Sequence, residues 1–503
     1  MNFERYIASR LRSSAGRFSK PIVIIGIAGV VLSVSIILLS FAIVRGFTEG
    51  ITDKAVGFNA HIQVSDLNGI RGKEAGTITK NQGIYDSLNS MEGVKHVQTY
   101  VNKQSIIETE EGISGVFVKG FAKDFYWDFF KKNLIEGEII AWDDSTTSNE
   151  TIISKTIADK LDIHVGDKLT FYFIRGQDDF SPRKLTVAGL YNTDMIEFDE
   201  RFVLMDIRHL QKINDWGLEV QVRTDATCEN DKLKIEVFPY GGDGIYHITW
   251  SDGKAIDQRV RYVCPNQMNN LSVVLSDDSK TISDTAFVHF NIKDQTNCGC
   301  NNLMSYATTS GGSRDRYING YELYIDDFDQ MKSMESKVSQ VIGNKLTTTT
   351  ILRQSPEIFS WLELIDLNVY IIIILLLGVA IINMSSALII NILERTQLIG
   401  ILKSMGATNW SVRKIFLIHA TRLIGIGLIL GNIIGLGLAW LQQKYSLVKL
   451  DPESYSLSEV PIIIKWSDVL LLDIGTAVIC ILALIIPSYL ITRISPIKAI
   501  TLD

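Results

Sequence analysis

The sequence predicts a membrane-spanning bundle of four α-helices plus a large α+β domain outside the cytoplasm, the latter carrying an all-β, sandwich-like insertion. Three observations carry that expectation. The most apolar sequence is confined to four long stretches, and residues 46–360, between the first two, are mostly polar. Within that polar region helix-period and strand-period patterns alternate, and one segment reads as short strands alone. The net charge of −7, with no basic cluster, argues against a nucleic-acid partner.

The first apolar stretch, Ile22–Val44, is 23 residues without a charge. As a helix it reaches about 34 Å, enough to cross a ~30 Å hydrocarbon core. It exceeds the ~7–15 residues of a signal-peptide core, and no small-x-small site follows it before Arg45, so it reads as a retained span. We assign residues 21–45, 369–392, 411–440 and 469–492 to spans one to four.

Lys and Arg near the span ends set the orientation. Arg5, Arg10, Arg12, Arg17 and Lys20 precede span one; Arg395, Lys403, Arg413 and Lys414 lie between spans two and three; Arg493 and Lys498 follow span four. All three segments, 1–20, 393–410 and 493–503, therefore face the cytoplasm. Residues 46–368 lie outside, with a second outer loop at 441–468.

Span three carries Gly427, Gly431 and Gly435 at four-residue spacing, a face that admits close helix packing, within the chain or with a partner. His419 and Arg422 lie one and two turns inside it. Snorkelling to the interface or a polar contact within the bundle would each accommodate them.

Outside the membrane, residues 82–92 read as a helix with Ile84, Leu88 and Met91 on one face, and residues 94–107 and 113–121 alternate as strands across a Glu-Glu-Gly turn. Ser154 is a candidate N-cap for a helix to Leu161, followed by the strand Leu169–Ile174. Residues 321–343 give a strand and an amphipathic helix. The outer α+β domain thus comprises 46–224 and 313–368, the latter including a stalk. Residues 225–312 form the insertion, with strands at Lys234–Phe238, Tyr246–Trp250, Arg259–Val263, Leu271–Leu275 and Ala286–Ile292, and Ser305–Ser313 as exit linker. Cys228, Cys264, Cys298 and Cys300 all fall there and outside the cytoplasm imply two disulfides. A Cys298–Cys300 bond is disfavoured by geometry, which leaves two pairings open. Cys480, inside span four, reads as a small buried thiol.

Enzymatic signatures are missing. The sequence has no phosphate loop, no His-Glu-x2-His and no Gly-x-Ser-x-Gly, and its seven histidines make no metal spacing. The chain is expected to be non-catalytic, to bind no metal or cofactor, and to draw energy from another subunit. The cytoplasmic loop Glu394–Leu417, ERTQLIGILKSMGATNWSVRKIFL, contains an apolar strip of Leu398, Leu402 and Met405 flanked by Ile399 and Ile401. Gly406 is a helix stop and Thr408 an N-cap for the next helix. A short amphipathic helix lying flat on the membrane would also carry such a strip.

That segment is similar to the coupling segment of FtsX-like ABC permeases. Three further stretches resemble the LolC/LolE branch, the permeases of lipoprotein release. Phe3–Ser13 resembles its cytoplasmic amphipathic helix, residues 153–207 its outer core including Thr193–Asp199, and residues 455–470 with 487–500 its last outer loop and exit. The family usually has Gly where this chain has Asp194, which reads as a turn substitution, and it lacks the insertion. Residues 240–257, YGGDGIYHITWSDGKAID, resemble PKD-like or SprB-type β-sandwich repeats of Bacteroidota surface proteins, which implies that Trp250 is a core residue.

The resemblance implies an inner-membrane transport subunit. Two permease chains, identical or paralogous, would work with a separate LolD-like ATPase that binds ATP and Mg. That ATPase would dock on Glu394, Arg395, Leu398, Ile399, Leu402, Lys403, Met405 and Gly406. An acylated lipoprotein would enter between spans one and two, against Phe41, Val44, Phe47, Leu362, Ile365 and Val369, and leave to a LolA-like periplasmic carrier. The alternatives are an FtsX- or MacB-type permease serving efflux or regulating a cell-wall hydrolase.

Overall fold

The computed structural model describes residues 19–494 apart from 68–75, 175–179, 215, 230–231, 242–245, 252, 254–257, 264–271, 278–284, 293–304 and 311–313. The chain divides into two units, residues 1–53 with 355–503 and residues 54–354.

The first unit holds four long helices. They are Ser19–Asn59, whose last residues belong to the second unit, Pro356–Glu394, Asn409–Tyr445 and Trp466–Ser488. Each is long and apolar enough to cross a membrane. All but the fourth run well past the spans read from hydropathy. An apolar count marks only the part matched to hydrocarbon, whereas backbone hydrogen bonding continues through polar flanks. Pro356 occupies the first turn of its helix, where a missing N–H costs nothing. Thr408 caps the third, its hydroxyl accepting from Ser411 N–H at 3.2 Å, and Ser446 ends it in the left-handed region. The bundle core comprises Val30, Val34, Ala380, Met384, Leu388, Phe416, Ile424, Cys480 and Leu484. Cys480 is fully buried there, as its apolar setting implied.

The second unit is built on a ten-stranded mixed sheet. Its order runs Leu346–Thr350, Ile62–Asp66, Gly320–Ile325, Val94–Glu108, Ile113–Phe121, Phe202–Asp206, Glu150–Ser154, Phe180–Tyr191, Leu134–Gly137. Strand Lys168–Ile174 pairs with both Phe180–Tyr191 and the far half of Val94–Glu108, through Ser105–Glu108. Six strands therefore close into a ring, which removes their edges. Val101, Ile107, Val118, Phe171, Leu185 and Val203 are buried along these strands. Strand and helix positions read from pattern recur here, including the Ser154 cap, whose hydroxyl accepts from Ile157 N–H at 3.1 Å.

The insertion forms two sheets. One contains Leu218–Glu229, Lys232–Gly241 and Val260–Val263; the other contains Tyr246–Trp250, Ser272–Asp277, Thr285–Ile292 and Ser305–Ser310. The first strand packs against the four-stranded sheet, a sandwich-like arrangement. Trp250 is 1% exposed and its indole N–H donates to Gln258 O at 3.1 Å, the core role expected of it. Two features differ from the sequence reading. Ser305–Ser310 is an edge strand paired with Phe287–Ile292, where small polar composition had marked a linker. Its Tyr and Thr residues favour extended structure, and pairing supplies the rest. The first strand also starts at Leu218, ahead of the boundary at 225. Cys264, Cys298 and Cys300 lie outside the described residues, as does the side chain of Cys228.

Candidate functional site

The segment after span two folds as expected from its stop and cap. Pro356–Glu394 ends at Arg395, and a second helix, Thr396–Ser404, begins at once. Gly406 then takes φ +94°, a conformation that would strain any other residue. The faces of this short helix are sharply divided. Ile399 and Leu402 are 0% and 7% exposed and belong to the bundle core beside Val412, Ile415, Phe416 and Ile491, with Leu398 packed against it. Ile401, Met405 and Trp410 are exposed, Met405 by 79%. Of the expected docking residues, Glu394, Met405 and Gly406 lie on the open surface, Arg395, Leu398 and Lys403 are half-buried, and Ile399 and Leu402 turn inward. The apolar strip seen in sequence is mostly the seam that holds the helix to the bundle. Ile401, which flanks that strip, and Trp410 are outward apolar groups that lie outside the expected docking set.

The glycine face of span three packs within the chain. A Cβ on Gly427 would lie 2.6 Å from Val30 Cγ1, and one on Gly431 would lie 2.8 Å from Val34 Cβ. Gly435 faces Ser35 and Leu38, and Ser35 Oγ donates to Gly431 O at 2.9 Å. Span one is thus the neighbour. Beside this seam Asn432 donates to Asp473 of span four at 2.7 Å, a polar tie between spans that a lone carboxylate inside an apolar run signals in the sequence. His419 is half-buried and Arg422 exposed.

At the other end of the bundle the loop between spans three and four is pinned to span one. Ile463 N–H donates to Ala42 O at 3.2 Å, and a Cβ on Gly46 would strike Pro461 O, so only glycine admits this approach. Arg45 bonds Asp468 and, at 3.1 Å, Glu49, while Lys465 reaches Glu49 at 2.8 Å. Spans one, three and four are therefore tied together at this end. In the half of span two nearest Pro356, Leu364, Leu367, Tyr370, Ile374 and Leu375 are all more than half exposed, as are Leu470, Leu471 and Ile474 of span four. Of the expected cargo-lining residues, Phe41, Val44, Phe47, Ile365 and Val369 are half-buried and Leu362 is buried.

In the second unit, residues 193–199 form a closed turn. Asp199, 1% exposed, accepts from Thr193 N–H at 2.9 Å and from Thr193 Oγ at 2.7 Å, and Asp194 sits at φ +59°. Asp tolerates that left-handed conformation better than most residues, which is consistent with a turn at this position. Lys54 lies 3.8 Å from the Asp194 carboxylate. Burial pushes the Asp199 carboxyl up to about 6 against the two bonds from Thr193.

Residues 370–496 match the FtsX-like permease C-terminal family, and residues 24–238 match the MacB-like periplasmic core domain. Among characterised relatives, the lipoprotein-releasing system transmembrane protein LolE of Haemophilus influenzae is 24% identical over 192 residues, covering 37% of this chain and 46% of that one. LolC of Xylella fastidiosa is 19% identical over 191 residues, covering 36% and 46%. The chain thus spans about half the length of the curated relatives it matches. Among solved structures, the extracellular domain of the noncanonic ABC-type transporter YknZ from Gram-positive bacteria is 17% identical, with TM-score 0.22 over 30% of this chain and 75% of that domain. The periplasmic region of MacB from Actinobacillus actinomycetemcomitans is 12% identical, with TM-score 0.23 over 32% and 70%. The segment holding the last three long helices is thus similar to the FtsX-like permease C-terminal family, and the first long helix with much of the polar region after it is similar to the MacB-like periplasmic core domain.

Proposed function

We propose that this permease extracts acylated lipoproteins from the inner membrane, driven by a separate cytoplasmic ATPase. The observation that carries the reading is the undressed half of span two. Five large apolar side chains there are more than half exposed. A hydrophobic chain moving out of lipid needs such a surface, because exposing it to water costs ~0.8 kcal/mol per CH₂. Phe41, Val44, Phe47, Ile365 and Val369 would then flank the acyl chains, and Leu364, Leu367, Tyr370, Ile374 and Leu375 extend that set. Similarity to proteins named for lipoprotein release supports the cargo.

In this reading both termini and the Thr396–Ser404 helix face the cytoplasm. Two permease copies, or this chain and a paralogue, each seat an ATPase on the exposed face of that helix. ATP binding closes the ATPases, the bundles shift, and the lipid passes to a soluble periplasmic carrier. The chain itself supplies the surface and the lever; ATP and Mg belong to the partner.

A second reading, an efflux or wall-regulating permease, is favoured by the MacB-like core over residues 24–238. Depleting the protein and fractionating membranes separates the two. Outer-membrane lipoproteins stranded in the inner membrane support extraction, whereas normal sorting defeats it and leaves the second reading.

A further inference from the structure

The C-terminal end of span four is broken and held from two sides. Pro487 lies in the last turn of Trp466–Ser488, and the chain resumes as the short helix Leu490–Arg493. Proline removes an intrahelical donor, and the end of any helix leaves carbonyls without intrahelical partners. Two cations take up carbonyls on either side of the break. Arg413, from the start of span three, donates to Ile485 O at 3.1 Å and to Ser488 Oγ at 3.1 Å. Its guanidinium lies 5.4 Å from the Trp410 ring and 5.7 Å from that of Tyr489. Lys403, from the loop helix, donates to Ile491 O and to Ile494 O, both at 2.8 Å. A cation at a helix C-terminus also meets the negative end of its dipole.

We infer that Lys403 and Arg413 are positioning residues that clamp both pieces of this broken end, fixing it to the loop helix and to span three. Span four has no covalent link to the loop helix, which chain connectivity joins only to spans two and three. Beside the apolar packing of Ile399 and Leu402 in one core with Ile491, the clamp supplies a polar link, so a displacement of the loop helix is delivered to span four as well. It also assigns the Lys403 ammonium an intramolecular use, which leaves docking to Ile401, Met405 and Trp410. The clamp stands on geometry within the chain; its use in transmission rests on the ATPase coupling proposed above.

Hydrogen–deuterium exchange on the full chain in nanodiscs reads the clamp directly. Lys403→Met should raise exchange over Tyr489–Ile494 by about tenfold, and Arg413→Met should do so over Ile485–Tyr489, because amides at an uncapped helix end open locally. Lys403→Arg keeps the donor and should restore protection. Unchanged exchange in Lys403→Met would overturn the clamp, as would loosening of all four spans together, which would report a general folding defect. The transmission is read in the complex with the ATPase that co-purifies with the wild-type chain. A nucleotide-dependent change over 485–494 should appear in the wild type and vanish in Lys403→Met, while the change at the end of span two, 388–394, persists. Persistence of both changes would refute transmission through Lys403. If no ATPase co-purifies, the coupling proposal and the transmission fail together, and the clamp is still decided by the exchange of the chain alone.

Discussion

Lys119 and Glu322 meet 2.7 Å apart at 1% and 0% exposure, on strands far apart in sequence. Their surroundings satisfy nearly every polar atom. Lys119 also bonds Phe58 O, and Glu322 accepts from Gln98 at 2.6 Å and Gln63 at 2.9 Å. Four strands, Ile62–Asp66, Val94–Glu108, Ile113–Phe121 and Gly320–Ile325, thus contribute to one buried network. Removing one partner strands a charge in the interior, which costs ~3–5 kcal/mol. Glu322→Leu should therefore markedly lower the thermal stability of the full chain. Adding Lys119→Met should recover much of the loss, a non-additivity that a double-mutant cycle would measure. Additive losses would mean that the pair contributes nothing as a pair.

The Asp199 carboxyl gives the same unit a pH dependence with a definite sign. Its folded value, about 6, lies above the ordinary carboxylate range because burial disfavours the charge. The folded state therefore holds the proton more tightly than the unfolded chain. The stability this contributes is full below about pH 4, is lost as pH rises to about 6, and amounts to ~3 kcal/mol. Asp199→Asn keeps an acceptor for Thr193 N–H and carries no charge at any pH. Stability profiles of wild type and variant should converge at pH 4, with the variant more stable at pH 7. Parallel profiles would show that Asp199 does not titrate in that window.

The glycine seam makes a sharper steric claim. Gly431→Ala places a methyl group 2.8 Å from Val34 Cβ, whereas Gly425 has open space at the same point. Overpacking of that kind costs ~1–3 kcal/mol. Gly431→Ala should lower the melting temperature in detergent, whereas Gly425→Ala should not. Equal behaviour of the two alanine variants would place the span one contact elsewhere.

The parts of this fold legible in the sequence are those set by short-range physics. A charge-free run long enough for hydrocarbon identifies a span, and Ser154 and Thr408 announce helix starts because their hydroxyls meet N–H groups three residues on. The closure of six strands was not legible. It depends on Ser105–Glu108 pairing with Thr170–Phe173 and on the parallel pairing of Phe117–Phe121 with Phe202–Asp206, and neither leaves a local mark. The Lys119–Glu322 pair was hidden for the same reason, since each residue looks like an ordinary surface charge until its strand is placed. In the candidate site, the loop helix and its borders were readable but its orientation was not. Leu398 and Leu402 make a visible apolar strip, and nothing local says whether such a strip meets the bundle or a partner.

That last ambiguity yields the most direct test of the docking surface. Leu402 is 7% exposed among Val412, Phe416 and their neighbours, so Leu402→Asp buries a charge in the bundle core and should destabilise the chain whether or not any partner exists. Ile401 and Met405 project outward from the same helix and its end, at 48% and 79% exposure. Placing Asp at either should leave the monomer's stability within ~0.5 kcal/mol. If a partner seats on this face, an apolar contact at its centre is where truncation or charge is felt most, typically by ~2 kcal/mol or more. Ile401→Asp and Met405→Asp should then abolish ATPase co-purification while the chain still inserts and melts normally. Retention of the ATPase by both variants would move the docking surface off this helix, whatever Leu402→Asp does.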